Sequence, residues 1–163
     1  MCMKTVDMVL VWVHRPRIIL GQMHLNFGLQ PVSLSMRNEQ RTMKKILIID
    51  DDHVICEMLN YLLEHRGYEV FIATQFSDLF ANEKLSTIDI ILLDKRLGHL
   101  DGTVLCKKLK NNKETAEVPV IMMSGLDKAR KDCMLAGADD FINKPFEITQ
   151  LFSTIEQFTN VKL

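Results

Sequence analysis

The chain has 163 residues, of which 47% are hydrophobic and 25% are charged, and its formal net charge at pH 7 is −1. This length and balance predict one soluble globular domain. The charge gives no global field that would attract nucleic acid or an anionic membrane. No apolar run reaches the roughly 18 residues that a membrane span needs. We therefore expect no direct contact with nucleic acid or membrane.

The four cysteines are scattered along the chain, with no CxxC pair and no paired histidines. They are Cys2, Cys56, Cys106 and Cys133. This spacing favours reduced thiols packed in the interior over a disulfide framework or a zinc site. The cysteine pattern therefore predicts a cytoplasmic protein.

Residues 1–42 differ from the rest of the chain. They hold basic and apolar residues without a sustained period, two prolines, and a polar end. Met43 follows and leads into a clean strand pattern. We expect either a weakly ordered N-terminal extension or upstream sequence from a misplaced start codon, and a folded domain over residues 43–163 with no output domain.

From Met43 onward, short apolar runs alternate with stretches of helical periodicity. The predicted strands are residues 46–49, 68–73, 90–93, 118–123 and 141–143. The predicted helices are residues 54–63, 75–84, 103–111, 127–136 and 148–158. Five strands alternating with five helices predict an α/β fold, with a five-stranded, doubly wound parallel sheet and helices on both faces.

The third predicted strand places an acid at a specific point of this sheet. Four consecutive apolar residues, 90–93, lead directly into Asp94. Such a run is typical of a strand buried on both faces, and ligands of open parallel sheets bind at the carboxyl ends of the strands. Taken alone, Asp94 would more often be an ordinary loop residue, so the other strand ends decide its interpretation.

Those strand ends carry a matching set of polar residues. The first strand ends at Asp50 and Asp51, the fourth at Ser124, and the fifth at Lys144. Three carboxylates close together repel one another unless a hard dication lies among them, and oxygen ligands suit Mg²⁺. With a lysine and a hydroxyl beside them, the set predicts phosphoryl transfer to Asp94 as the nucleophile.

Five sequence segments carry a resemblance to a known family. They are Ile48-Ile49-Asp50-Asp51-Asp52, Leu92-Leu93-Asp94 with Asp101-Gly102 downstream, Val120-Ile121-Met122-Met123-Ser124-Gly125, Gly137-Ala138-Asp139-Asp140-Phe141, and Lys144-Pro145-Phe146. In this order and near this spacing they resemble the receiver domain of two-component response regulators, particularly the stand-alone, chemotaxis-regulator-like kind. The resemblance covers residue 43 to about residue 160, and it implies a flavodoxin-like sheet with strand order 2-1-3-4-5.

The resemblance implies a role for each residue of the acceptor site. Asp94 matches the phosphoacceptor, which takes a phosphoryl group from the phosphohistidine of a histidine kinase. Asp50 and Asp51 match acids that bind Mg²⁺ together with Asp94, and the backbone carbonyl of Arg96 matches a further metal ligand. Lys144 matches the lysine that pairs with the phosphoryl group.

The resemblance also implies a switch. Ser124 matches the hydroxyl that turns toward the new phosphoryl group, and Phe141 matches the aromatic residue that swings inward with it. The changed surface would be the fourth predicted helix, the fifth strand and the last helix. The bond between Lys144 and Pro145 matches one that is often cis in this family.

Three departures from the family pattern stand out. The interval from Ser124 to Lys144 is about two residues shorter than usual, before Gly137. Phe141 replaces the commoner tyrosine and lacks its hydroxyl. Gly98-His99 stands where a Pro-Gly pair is usual.

The implied partners are a histidine kinase or a phosphotransfer protein and an unknown downstream protein, with the chain a monomer or a phosphorylation-linked dimer. The protein would catalyse only its own phosphorylation and dephosphorylation. Two alternatives stay open from the residues. One is a phosphatase of the haloacid dehalogenase type, for which Asp50-Asp51-Asp52-His53-Val54 fits a DxDx(T/V) pattern. The other is a degenerate receiver that binds partners without phosphorylation.

Overall fold

The structure, a computed structural model, describes residues 43–74, 83–126 and 128–159. Its strands are β1 (Lys45–Ile49), β2 (Glu69–Ala73), β3 (Ile90–Asp94), β4 (Arg96–Leu97), β5 (Leu100–Asp101), β6 (Val120–Ser124) and β7 (Asp140–Asn143). Its α-helices are α1 (His53–His65), α2 (Gly102–Asn111), α3 (Ala129–Leu135) and α4 (Ile148–Thr159), and a 3₁₀ helix spans Glu83–Thr87.

The main sheet has five strands in the order β2-β1-β3-β6-β7. Every pair in it is parallel. Counted by sheet strands alone, this is the order 2-1-3-4-5, so the predicted doubly wound, flavodoxin-like α/β fold is confirmed. Because all five strands run the same way, their carboxyl ends share one edge of the sheet.

The two faces of the sheet bury alternate residues of the central strands β1, β3 and β6. In β3, Ile91 and Leu93 pack on the face covered by α2 and α3. Ile90 and Leu92 pack on the opposite face, covered by α1 and α4. All four side chains are 0% exposed. Each such burial stabilises the fold by about 1.5–3 kcal/mol. Because successive side chains of a strand point to opposite faces and both faces are buried here, all four residues are apolar.

The helix ends follow from local chemistry. Asp52 caps α1, because its carboxylate accepts hydrogen bonds from the N–H groups of Val54 (2.9 Å) and Ile55 (3.2 Å). Gly67, two residues beyond the helix, has φ +82°, a conformation that favours glycine.

Several predicted boundaries need correction. The helix predicted over residues 103–111 begins one residue earlier, at Gly102, with Asp101 as its cap. The fourth helix is shorter than predicted and spans Ala129–Leu135. The fourth sheet strand begins at Val120, after Pro119, which has no N–H to donate.

Some predictions fall outside the described residues. The N-terminal extension over residues 1–42 lies there, as does most of the second predicted helix, 75–84. Its last two residues belong to the 3₁₀ helix Glu83–Thr87. Within the three described ranges, no helix is long and apolar enough to cross a membrane.

Candidate phosphoacceptor and metal site

The predicted site residues converge at the carboxyl edge of the sheet. Asp94 and Ser124 are the last residues of β3 and β6, while Asp50 and Lys144 directly follow β1 and β7. The register sets these ends side by side, with Ile49 opposite Leu93 and Asp94 opposite Met123. The structure thus brings together residues that lie up to 94 positions apart in the chain.

Three carboxylates form a cluster in which one oxygen from each lies within 4.8 Å of the others. They belong to Asp50, Asp51 and Asp94. Asp50 is 1% exposed and Asp94 is 8% exposed, whereas Asp51 is exposed. Carboxylate oxygens at this spacing are the donors that Mg²⁺ prefers, and an exposed acid leaves room for the waters that this ion retains. The donor set therefore fits a hard divalent cation.

Lys144 bridges two of these acids. Its Nζ lies 2.7 Å from Asp50 Oδ2 and 2.6 Å from Asp94 Oδ1. Burial lowers the pKa of Lys144, but the hydrogen bonds with Asp50 and Asp94 outweigh burial and hold its pKa above the ordinary value. The lysine is therefore a fixed positive charge beside Asp94.

Asp94 is held on both of its oxygens. Oδ1 accepts from Lys144, and Oδ2 accepts from the backbone N–H of Arg96. Burial raises the pKa of Asp94 above the ordinary aspartate value, and the Lys144 ammonium opposes this without cancelling it. Its carboxylate is therefore oriented, yet less stable in its charged form than a solvent-exposed one.

Of the two predicted switch residues, Ser124 lies at the edge beside Lys144, whose N–H donates to the Ser124 carbonyl oxygen at 2.7 Å, whereas Phe141 lies further back in β7, opposite Met122. Ser124 is 3% exposed, and its Oγ accepts a hydrogen bond from the Leu126 N–H at 3.2 Å. Phe141 is 7% exposed and packs in the core beneath α2 and α3. The peptide bond between Lys144 and Pro145 is cis. The Arg96 backbone reaches the site through its N–H, and the metal-ligand role of its carbonyl stays a prediction.

The site contains contacts that sequence reasoning missed. The Gly98 N–H donates to Asp51 Oδ2 at 2.8 Å. The Cys56 thiol donates to the Asp50 carbonyl oxygen at 3.4 Å, and burial is the main cause that raises its pKa to about 11. The departure at Gly98-His99 was the one available signal for the first contact. Nothing in the sequence distinguished Cys56 from an ordinary packing residue.

The sequence matches the family model of the response regulator receiver domain over residues 46–156. The chain belongs to the response regulator receiver domain family. This match favours the receiver domain over the alternative of a phosphatase of the haloacid dehalogenase type. Receiver domains are signalling domains of two-component systems, so the family also places the chain among phosphorylation-controlled signalling proteins.

Individual relatives agree with this assignment. The chain is 33% identical over 119 residues to the transcriptional regulatory protein CrdR of Helicobacter pylori, covering 72% of this chain and 55% of that one. It is 29% identical, with a TM-score of 0.65, to the crystal structure of a putative response regulator from Chloroflexus aurantiacus, covering 74% of this chain and 100% of that one.

A third relative shows the same fold with a metal. It is the receiver domain of a sensor histidine kinase from Pseudomonas aeruginosa, at 24% identity and a TM-score of 0.65, covering 74% of this chain and 100% of that one. That structure has a magnesium ion coordinated in its active site cleft. The chain spans about half the length of the first curated relatives that it matches.

The raised pKa of Asp94 predicts a pH-dependent effect on stability. A folded-state pKa above the unfolded value stabilises the fold fully below the unfolded pKa, and this contribution is lost as pH rises through the folded pKa. Asp94→Asn has no such proton. We therefore expect the free energy of unfolding of this variant to rise, relative to wild type, between about pH 3 and about pH 7.

Urea unfolding in EDTA at both pH values measures this difference. Asp132→Asn, which removes an exposed carboxylate on α3, is the control of equal charge change. A difference between Asp94→Asn and wild type that stays constant with pH would contradict the prediction.

Proposed function

We propose that Asp94 accepts a phosphoryl group from the phosphohistidine of a histidine kinase or a phosphotransfer protein. One carboxylate oxygen of Asp94 attacks the phosphorus, and the N–P bond breaks with its electron pair going to the departing histidine. The product is an acyl phosphate on Asp94. The observation that carries this proposal is the contact of the Lys144 ammonium with both Asp94 and Asp50, beside three clustered carboxylates.

Asp50, Asp51 and Asp94 would hold a Mg²⁺ ion, together with the backbone carbonyl of Arg96. A bound Mg²⁺ neutralises charge on the phosphoryl oxygens during in-line transfer. The protein's own groups do the rest. The Arg96 N–H orients the Asp94 carboxylate, and Lys144, already charged and within 2.6 Å of Asp94 Oδ1, supplies the positive partner for a phosphoryl oxygen.

This function is that of a signalling switch and not of an enzyme with its own substrate turnover. The protein would catalyse only its own phosphorylation and dephosphorylation. The remaining alternative, a receiver that signals without phosphorylation, is disfavoured because the acceptor, the acids and the lysine are all present and in contact.

Phosphorylation with a small donor tests the acceptor. With acetyl phosphate and Mg²⁺, we expect the intact mass of the protein to rise by one phosphoryl group, and we expect no rise for Asp94→Asn or in EDTA. Asp52→Asn is the matched control, because asparagine caps α1 as aspartate does and leaves the acid cluster intact. Labelling of Asp94→Asn to the wild-type level would rule out Asp94 as the acceptor.

The switch would pass from Ser124 to Phe141 and then to the surface. The Ser124 Oγ accepts from the Leu126 N–H, and a hydroxyl that accepts a hydrogen bond still has its own hydrogen to donate, here to a phosphoryl oxygen. Arg130 of α3 donates to the Phe141 carbonyl oxygen at 3.3 Å. Because this bond joins the two elements, a shift of Phe141 would displace or break a contact of α3.

The surface proposed to change consists of α3, β7 and α4. It already exposes apolar side chains, with Leu135 at 73% and Ile148 at 48% exposed. The downstream protein, the oligomeric state and the cytoplasmic location stay predictions. Some of the relatives are transcriptional regulatory proteins. The expected absence of contact with nucleic acid therefore has no support from them.

The switch is tested with beryllofluoride, a phosphoryl mimic, and amide NMR spectra. In wild type we expect Mg²⁺ and beryllofluoride to shift resonances of residues 129–143, because Ser124 donates to the mimic. In Ser124→Ala we expect the mimic to bind but these shifts to be largely lost. Ser153→Ala, which removes an exposed hydroxyl on α4, is the control. Equal shifts in wild type and Ser124→Ala would contradict the role of Ser124.

A further inference from the structure

A small hairpin lies between the acceptor strand and α2. Its strands β4 and β5 pair antiparallel, with Arg96 opposite Asp101 and Leu97 opposite Leu100. The turn between them is therefore the two residues Gly98 and His99. The tip of this hairpin contacts Asp51, which lies 47 positions earlier in the chain.

The base of the hairpin is fixed to the sheet. The Lys95 N–H donates to the Met123 carbonyl oxygen at 2.8 Å, and the Gly102 N–H donates to the Lys95 carbonyl oxygen at 2.6 Å. A Cβ atom on Gly102 would lie 2.2 Å from the Asp94 carbonyl oxygen, so only glycine permits this approach. Lys95 Nζ also pairs with Asp101 Oδ2 at 3.2 Å. The position of the tip is thus set by the strand that carries the acceptor.

Two backbone N–H groups of the hairpin are directed at two acids. Arg96 donates to Asp94 Oδ2, and Gly98 donates to Asp51 Oδ2. Alternate N–H groups of an extended segment face the same side, which is how one segment reaches both carboxylates. Among the described residues, Asp51 is the member of the acid cluster that has no cation contact, so the Gly98 N–H is its hydrogen-bond anchor.

Gly98 is suited to this contact in a way that proline is not. Its φ is +59°, as the first position of a tight hairpin turn requires. The family usually has proline at this position, which has no N–H and holds φ near −65°. Proline would therefore remove both the donor and the turn conformation. This contact is a property of this chain's own departure from the family pattern.

We propose that the Gly98 N–H is a positioning group for the metal site, which fixes the exposed Asp51 carboxylate at the spacing from Asp94 that a shared divalent cation needs. The inference rests on the proposed function, since it takes Mg²⁺ as the ion of the acid cluster. Carboxylates that bind metals are commonly held by such outer hydrogen bonds, and losing one typically weakens metal binding by about 10–100-fold. Without the bond, Asp51 at the surface would sample several rotamers.

Calorimetric titration with Mg²⁺ and with Mn²⁺ measures the effect directly. We expect Gly98→Pro, which deletes the donor, to weaken binding of both ions by about tenfold or more. Gly98→Val, which keeps the N–H but disfavours a positive φ, should weaken it in the same direction. Gly98→Asn should restore most of the affinity, because asparagine tolerates this φ and keeps the N–H.

Two controls separate positioning from general strain. Gly67 lies beyond the C-terminal end of α1, its φ is +82°, and a new Cβ there would meet nothing within 4 Å. Gly67→Val therefore also places a valine at a positive φ, but outside the hairpin. It should bind both ions as wild type does. In the wild-type protein, the Gly98 amide resonance should show slowed hydrogen exchange, and Asp51→Ala should abolish that protection even if Gly98→Pro fails to fold.

The outcomes are distinct. Wild-type affinity in a folded Gly98→Pro, or an unprotected Gly98 amide in wild type, would overturn the role of Gly98 while the proposed function stands. Absence of any Mg²⁺ or Mn²⁺ binding to the wild type would overturn both. Weakened binding in Gly98→Pro and Gly98→Val together with recovery in Gly98→Asn supports the inference.

Discussion

The ammonium group of Lys144 is the interaction on which the site depends. It lies within 2.7 Å of Asp50 and 2.6 Å of Asp94, two buried acids that would otherwise repel each other in a low-dielectric environment. Removing one partner of such a buried set leaves uncompensated charge. Because the lysine neutralises only part of the cluster, negative charge remains for a cation. The same contact that holds the strand ends together thus leaves a site suited to the phosphoryl transfer that we propose.

The parallel sheet supplies the geometry for this interaction. The central strands β1, β3 and β6 are buried on both faces, and the carboxyl ends of β1, β3, β6 and β7 bring Asp50, Asp94, Ser124 and Lys144 to one edge. The β4–β5 hairpin contacts Asp94 through the Arg96 N–H and Asp51 through the Gly98 N–H. Arg130 of α3 donates to the carbonyl oxygen of Phe141 in β7. Through this hydrogen bond, a displacement of β7 that follows a charge change at the edge of the sheet would act on α3 at the surface.

Much of the fold and the placement of the site followed from the sequence, for physical reasons. Apolar runs such as residues 90–93 identify strands buried on both faces, and parallel strands necessarily bring Asp50, Asp94, Ser124 and Lys144 to one edge. The contact of Gly98 with Asp51 did not follow, because it depends on a turn conformation and on residues 47 positions apart. The start of α2 was misplaced by one residue, since Asp101-Gly102 fits a turn as well as a cap.

A crystal structure with Mg²⁺ and beryllofluoride tests the central claim most directly. We predict beryllium bonded to a carboxylate oxygen of Asp94, a cation between Asp50, Asp51 and Asp94, and hydrogen bonds from Lys144 and Ser124 to the fluorine atoms. Beryllofluoride absent from Asp94, or bound there with Lys144 directed away from it, would contradict the account.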